Sequence, residues 1–534
     1  WIDRDLLETT DRGFALRDDA DPTMPGDLYE VWSDRLERLL DDAPDDARAA
    51  LQLAAALGRH VDAEEWRPAC ERAELSPPDH LVDRLLRHNL LEQTDTGWRF
   101  AHSILRETFE GRARQAGRWA ALNRTCAETL RQLHGRAPDS AERIARHLLA
   151  AGATEDAVDP LLEATEFHGR SGSYDRAGRL LEFAEQAIHA ADISRSDRRF
   201  AVYLLRSGRV CLTRDLELTP AQDAFERAIE LGRRHDWEEV LARARIGLSI
   251  VASYQGDRDR AISVLRDVLD SLDPAQNPSL YRDAAQKTAV EARFLGRLQM
   301  ADRFFRTARE VSASPPKIEA VKLLKDWAIC DQYRDDYRAA IARIDEALDL
   351  LEQSPSRFFR TKLLNIRGDC ARMRDDLREA EKWYRRAEDS ARLLKLPQNF
   401  NVWLGRVQVA LARGDHEEAI DALRRTEQMT EQGHVLVFDT AFSCFRLEAH
   451  AGAQNLGRAE RALEQLRDLL GEHDTTVPDI LNALSSATHL LLDAAAPELA
   501  RRTARIAVRG LRKAGDSERA RELQQTIESS SESA

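Results

Sequence analysis

The sequence predicts a mainly α protein in two parts: a small module of short helices closed by a strand hairpin, then a right-handed α-solenoid of helical hairpins with a period of about 40 residues. Three observations carry this. Alanine returns at a nearly constant interval through the C-terminal two thirds. Ala, Leu, Glu and Arg dominate while aromatics make up only 6%, which favours helix almost everywhere. One stretch before residue 110 abandons the helical period for two short alternating runs.

With 534 residues the chain has room for several domains, and 43% hydrophobic with 32% charged residues is the balance of a soluble, helix-rich protein. A formal charge of −14 without a concentrated basic patch repels nucleic acid and anionic membrane, so neither is expected as a partner. The six cysteines, at 70, 126, 211, 330, 370 and 444, show no CxxC pairs or metal-ligand spacing. That points to a reduced, cytoplasmic setting and to no metal site. No run of 18 uninterrupted apolar residues is found. The chain opens on Trp1 rather than Met, and we expect it to be cut from something longer.

In chain order, residues 1–21 (WIDRDLLETTDRGFALRDDAD) match nothing downstream. GDLYEVWSDRLERLL (26–40) reads as an amphipathic helix, and PDDARAALQLAAALG (44–58) as a helix opened by Pro and two Asp and stopped by Gly. VDAEEWRPACERAEL (61–75) follows, and Ser-Pro-Pro then opens another helix over 76–91. LLEQTDTGWRFAH (90–102) reads as two strands about an Asp-Thr-Gly turn. Short helices capped by a hairpin describe a winged helix over 22–110, followed by linking helices over 111–170. His102 stands where the hairpin runs into the next helix.

From 171 to 528 one pattern repeats: GSYDRAGRLLEFA (172–184), GDRDRAISVLRDV (256–268), GRLQMADRFFRTA (296–308), DDYRAAIARIDEA (335–347), DDLREAEKWYRRA (375–387) and GDHEEAIDALRRT (414–426). The anchor alanines are Ala177, Ala221, Ala261, Ala301, Ala340, Ala380, Ala419, Ala459 and Ala500, at intervals of 44, 40, 40, 39, 40, 39, 40 and 41. Each unit is a first helix, a turn with Gly or Asp, and a second helix opening at the anchor. No single pair buries its apolar face, so neighbours must stack. Cys211, Cys330 and Cys370 each stand ten before an anchor and read as packed small hydrophobes. Tyr254, Phe294, Tyr333 and Met373 each stand seven before one and read as inter-helix core. The SSSESA tail (529–534) reads as disordered.

The turn residue, anchor and large apolar residue at Tyr337, Ala340 and Ile344, and again at Leu298, Ala301 and Phe305, resemble the tetratricopeptide repeat. The family's usual period is shorter, near 34, so longer helices are implied. The elements from 22 to 150, above all FAHSILRE after the hairpin, are similar to the region following the nucleotide-binding core in STAND-type AAA ATPases, a class that includes bacterial regulators fused to serine/threonine protein kinases. That resemblance implies that residues 1–21 are the tail of a preceding ATPase domain. It implies too that ATP or ADP is held upstream, and that the winged helix docks on that ATPase. In the related NB-ARC class the junction carries Met-His-Asp, whose histidine touches the β-phosphate of ADP. Here only His102 matches, between Ala101 and Ser103. An imidazole at a helix start could hydrogen-bond a phosphate there, or it could cap its own helix or satisfy a buried carbonyl.

The chain carries no catalytic signature of its own. A GxxxxGK loop needs a lysine, yet the first of only eight is Lys287 and no Gly-Lys pair occurs; HRD, DFG, HExxH and GxSxG are missing as well. Cofactors within the chain are therefore not expected. DNA reading by the winged helix is disfavoured because 22–110 holds 10 Arg, no Lys and 19 acidic residues. The expected function is a non-catalytic regulatory arm of an ATP-dependent signalling protein, its concave solenoid face sensing a protein or small-molecule signal. The alternatives are a plain scaffold assembling protein partners, or a transcriptional regulator whose DNA-binding output lies outside this chain.

Overall fold

A computed structural model describes residues 7–10, 13–16, 36, 38–78, 80–135, 140–215, 217–311, 315–353, 356–392, 400–430, 436–470 and 477–532. The chain divides into two compact units, Trp1–Leu216 and Glu217–Ala534.

In the first unit, β1 (Leu7–Thr10) and β2 (Gly13–Leu16) form an antiparallel hairpin inside the stretch expected to be an ATPase tail. Most of the helix expected over 26–40 lies outside the described residues, which include only its last turn. Pro44, Asp45 and Asp46 open α1 (Asp45–Leu57), with the acids against the positive end of the helix dipole, and Gly58 at φ 137° ends it. Then come β3 (His60–Asp62), α2 (Ala63–Arg72), α3 (Leu81–Arg87), β4 (Leu91–Gln93) and β5 (Gly97–Phe100). The sheet is antiparallel in the order β3-β5-β4, with Val61 opposite Trp98 and Leu91 opposite Phe100. Short helices surround this three-stranded sheet. The strand at 60–62 is an addition to the sequence reading, since three residues are too few to show alternation. Val61, Trp66, Trp98, Phe100 and Phe109 pack with α1 in one core. There the Trp66 indole donates to the Ala50 carbonyl at 2.9 Å and meets Trp98 edge-on, with 5.8 Å between centroids.

Five helices follow: α4 (Ser103–Gln115), α5 (Trp119–His134), α6 (Ala141–Ala150), α7 (Thr154–Arg170) and α8 (Tyr174–Ala190). α9 (Arg198–Val210) then runs into a π-helical turn, Cys211–Asp215. A single core joins Leu130, Ile144, Leu161, Leu181 and Val210. The hairpin anchored by Ala177 therefore packs with the helices read as linkers, and the compact division falls at 216/217 rather than 170/171. Cys211, expected to be packed, is only half-buried. It sits at the start of the π turn, where the longest anchor interval, 44 residues, adds its extra length.

In the second unit sixteen helices are described in order: α10 (Leu218–His235), α11 (Glu238–Tyr254), α12 (Arg258–Ser271), α13 (Pro278–Phe294), α14 (Leu298–Glu310), α15 (Lys317–Tyr333), α16 (Tyr337–Gln353) and α17 (Arg357–Met373). The rest are α18 (Leu377–Arg392), α19 (Phe400–Ala412), α20 (His416–Thr430), α21 (Leu436–Gly452), α22 (Leu456–Leu470), α23 (Pro478–Asp493), α24 (Pro497–Lys513) and α25 (Ser517–Glu532). The protein is mainly α, and these helices stack as hairpins. All nine anchor alanines are fully buried at 0% exposure, as a register that seats each second helix on its first requires. Cys330 and Cys370 are sealed in the same way. The tail differs from expectation: α25 runs on to Glu532, the Ser529 and Ser530 hydroxyls donating back to the Thr526 carbonyl, and only 533–534 lie outside the described residues.

Candidate functional site

The first helices of the second unit bury the positions about 16, 12 and 9 before each anchor, such as Leu324, Ala328 and Asp331 before Ala340. The residue seven before is out of phase with that stripe. Tyr254 is accordingly 49% exposed, and Phe294, Tyr333 and Met373 are half-buried, not core. They belong to a second helical stripe, at 18, 15, 11 and 7 before the anchor. On α13 it is Asp283, Gln286, Val290 and Phe294; on α15, Lys322, Lys325, Ile329 and Tyr333; on α17, Lys362, Asn365, Asp369 and Met373. None of the twelve is buried. Three of the chain's eight lysines stand in it.

This face curves inward. The Arg372 guanidinium at the end of α17 reaches Asp479 at the start of α23, three hairpins on, at 3.1 Å. The turn after α13 meets the turn after α24: Gly296, at φ 72°, leaves only 3.1 Å between the place of an added Cβ and the Ala514 carbonyl oxygen. A side chain there would wedge the coil open.

Polar groups line the inside. The Gln286 amide donates to Asp326 at 2.7 Å, and Lys325 pairs with the same carboxylate at 2.8 Å. Ser253 and Arg258 hold Glu291 at 2.8 and 2.6 Å. The Arg293 guanidinium lies over the rings of Phe294 and Tyr333, 4.3 and 5.3 Å from the centroids. At the centre the Tyr384 hydroxyl donates to Asp369 at 2.6 Å, its ring buried against Gly368 and Gly405. Asn365 Oδ1 and Arg372 Nε are buried without a hydrogen-bond partner.

Burial, only partly offset by Arg372, pushes the Asp369 carboxyl up to about 6. Burial likewise pushes Glu448 of α21 up to about 7 against the pull of Ser486 and Arg372. Burial, then repulsion from Lys325, brings Lys362 down to about 8. The inner face thus carries acids and a base whose charge responds near neutral pH.

The histidine at 102 belongs to the first unit. It is exposed at the N-cap of α4, in extended backbone geometry (φ −129°, ψ 145°), and its side chain makes no capping hydrogen bond. Its carbonyl accepts the Leu105 N–H at 3.2 Å. Among the described residues no group of His, Cys, Asp and Glu could hold a metal ion, and no helix is long and apolar enough to cross a membrane.

Sequence reasoning found the Tyr254, Phe294, Tyr333 and Met373 series but assigned it to the wrong face. It passed over Asp369, Arg372, Tyr384 and Asp479. A signal was present, since lysine, so rare here, recurs at equivalent positions in Lys322 and Lys362.

No protein-family model matches the chain, and no curated protein matches it in sequence. Solved structures of similar fold include a Rap protein complexed with Competence and Sporulation Factor, at 15% identity and a TM-score of 0.48 over 70% of this chain and 99% of that one. A Signal Transduction ATPase with Numerous Domains from Pyrococcus horikoshii, carrying a tetratricopeptide repeat sensor, is matched at 12% identity and a TM-score of 0.40, over 92% of this chain and 67% of that one. The APC/C hetero-tetramer Cut9-Hcn1 is matched at 14% identity and a TM-score of 0.46, over 87% and 83%.

Proposed function

We propose that this chain is the non-catalytic sensing arm of an ATP-dependent switch, and that the inner face of α13, α15 and α17 takes up an extended segment of a protein partner. The observation that carries the binding reading is the twelve-residue stripe that the repeat withholds from its core, together with the buried, unpartnered Asn365 Oδ1 and Arg372 Nε beside Asp369. One is an acceptor and the other a donor, the pair a peptide amide presents in reverse. A buried polar atom without a partner costs about 1–3 kcal/mol, which a bound segment would recover.

The link to an ATPase rests on the resemblance of residues 22–150 and on the exposure of His102 at the start of α4, where the first backbone N–H groups of a helix point outward. In this reading the winged helix docks on an ATPase domain of the parent chain, which would hold the ATP or ADP. A segment on the inner face then shifts the switch by as much as it discriminates between the two states.

Screening displayed random peptides on the 534-residue chain tests the first part. Selected peptides should lose about tenfold or more in affinity with Arg372→Ala and with Asn365→Ala. Peptides insensitive to both substitutions would place binding elsewhere. For the second part, the parent protein carrying His102→Ala should release ADP faster; unchanged release removes the imidazole from the switch.

A further inference from the structure

The second unit holds a different site on the opposite side of α21 from the inner stripe. A cleft of about 270 Å³ lies between α20 and α22, with α21 as its floor. Four guanidiniums from all three helices line it, Arg424, Arg446, Arg458 and Arg461, against one carboxylate, Glu427. Arg446 is taken up by Glu427 and by Gln465 at 3.1 Å, and Arg424 by Asp421 at 2.9 Å. Arg458 and Arg461 are exposed; Arg461 Nε donates to the Gly457 carbonyl at 3.2 Å, and neither guanidinium pairs with a carboxylate among the described residues. On the floor His450 is 94% buried by its 6% exposure, and its Nδ1 has no hydrogen-bond partner.

A comparison inside the repeat shows what this arrangement lacks. His450 stands nine before its anchor, where Ala252, Ala292, Ala371, Ala410 and Leu491 stand in other repeats. Of the other three, one has Leu212, one has His168, which is paired with Glu142 at 3.0 Å, and one has Asp331, which is 1% exposed and faces Arg343 at 3.1 Å and Arg334 at 3.6 Å. In those last two the protein supplies the anion around which arginines gather, Glu142 beside His168 and Asp331 itself. In the cleft it supplies the arginines and a neutral imidazole in the anion's place.

We infer that the α20–α22 cleft is a binding site for a small phosphate monoester, its phosphoryl group held by Arg458, Arg461 and the imidazole of His450 and its organic part lying on Ile420, Leu423 and Ala462. Guanidiniums converging from several directions suit a tetrahedral dianion better than a flat carboxylate, and the apolar wall suits an organic body. The imidazole enters neutral. Burial, then Arg458, Arg446, Arg424 and Arg461, bring His450 down to about 4, so at pH 7 the neutral imidazole has one ring hydrogen to donate. A bound dianion reverses the local field and raises that value. The site is independent of the inner face, and each can fail without the other.

Titration calorimetry on the 534-residue chain tests this, at constant ionic strength in chloride, with phenyl phosphate, inorganic phosphate, benzoate and an unphosphorylated acidic peptide. Phenyl phosphate should bind tightest, with benzoate weaker by about tenfold or more. Arg458→Ser with Arg461→Ser, both exposed and so without effect on folding, should weaken phenyl phosphate by about tenfold or more while the melting temperature holds. In the histidine-labelled protein, the resonance lost in His450→Gln should titrate at higher pH with phenyl phosphate present. Absent binding, binding unchanged in the arginine variant, or preference for the acidic peptide would each overturn the inference.

Discussion

Two buried acids of the first unit and two half-buried acids of the second are treated in opposite ways. In the first unit, Glu65 of α2 is gripped by Arg143 through two bonds of 2.7 and 2.6 Å and by His134 at 2.8 Å. Glu142 of α6 holds Arg146 and Arg176, both at 2.7 Å, and His168 at 3.0 Å. Burial would raise both acids, but these partners outweigh it: Glu65 is held below its usual range and Glu142 at about 2. In the second unit Asp369 and Glu448 are raised instead, because burial there outruns the neighbouring positive charge. Saturated carboxylates act as clamps between helices far apart in sequence. Under-neutralised ones keep a charge deficit that an incoming cationic or donor group can fill. The contrast holds for these four acids and not for every acid of the second unit: Asp326, paired with Lys325 and Gln286, is lowered as the clamps are.

The strongest test of that contrast removes a clamp. Glu142→Gln leaves Arg146, Arg176 and His168 without their common anion, and removing the enclosed carboxylate from between two exposed arginines should cost about 2–3 kcal/mol, read as a lower urea midpoint at pH 7. A loss below about 1 kcal/mol would mean that the half-exposed arginines simply rehydrate and that the clamp is no clamp.

A smaller effect tests packing around the site. Tyr384 is wedged between Gly368 and Gly405, and a Cβ at Gly405 would stand 2.5 Å from its ring. Gly405→Ala should therefore cost about 2 kcal/mol in urea denaturation, since neither ring nor backbone can give way freely. In the first unit Gly178 faces the end of the flexible Arg214 side chain, which can swing aside. Gly178→Ala should stay within about 0.5 kcal/mol of the parent. Equal losses at the two glycines would erase the difference between a fitted site and a contact that a movable side chain can relieve.

How far the sequence revealed this depends on distance along the chain. The hairpin register was readable because it is local: the anchors seat one helix on the next, and all nine are sealed. The phase of Tyr254, Phe294, Tyr333 and Met373 was misread because a seven-residue spacing to the anchor crosses the turn, where the helical period no longer holds. The joint at His102 was legible as a helix start. Arg372 with Asp479, and Gly296 with Ala514, were out of reach, since they follow from the accumulated rotation of several repeats and no single repeat encodes it.

The smallest effect carries the most information about the acids. Asp369 has a folded value of about 6, above its ordinary 3.8, so its contribution to stability is complete below about 3.8 and is lost as the pH rises through about 6. Glu142 runs the other way: at about 2 against 4.5, it contributes fully above about 4.5 and loses that as the pH falls through about 2. Asp369→Asn keeps an acceptor for the Tyr384 hydroxyl and never ionises. It should therefore match the parent at pH 4 and exceed it by about 1 kcal/mol at pH 8, a figure reduced from the full linkage value because Asp369 is only half-buried. Hydrogen exchange in α17, corrected for its intrinsic pH dependence, reads this locally without requiring the two units to unfold together. Protection equal to the parent's at pH 8 would mean that Arg372 already neutralises Asp369, and the inner acids would then differ from the clamps of the first unit in position alone.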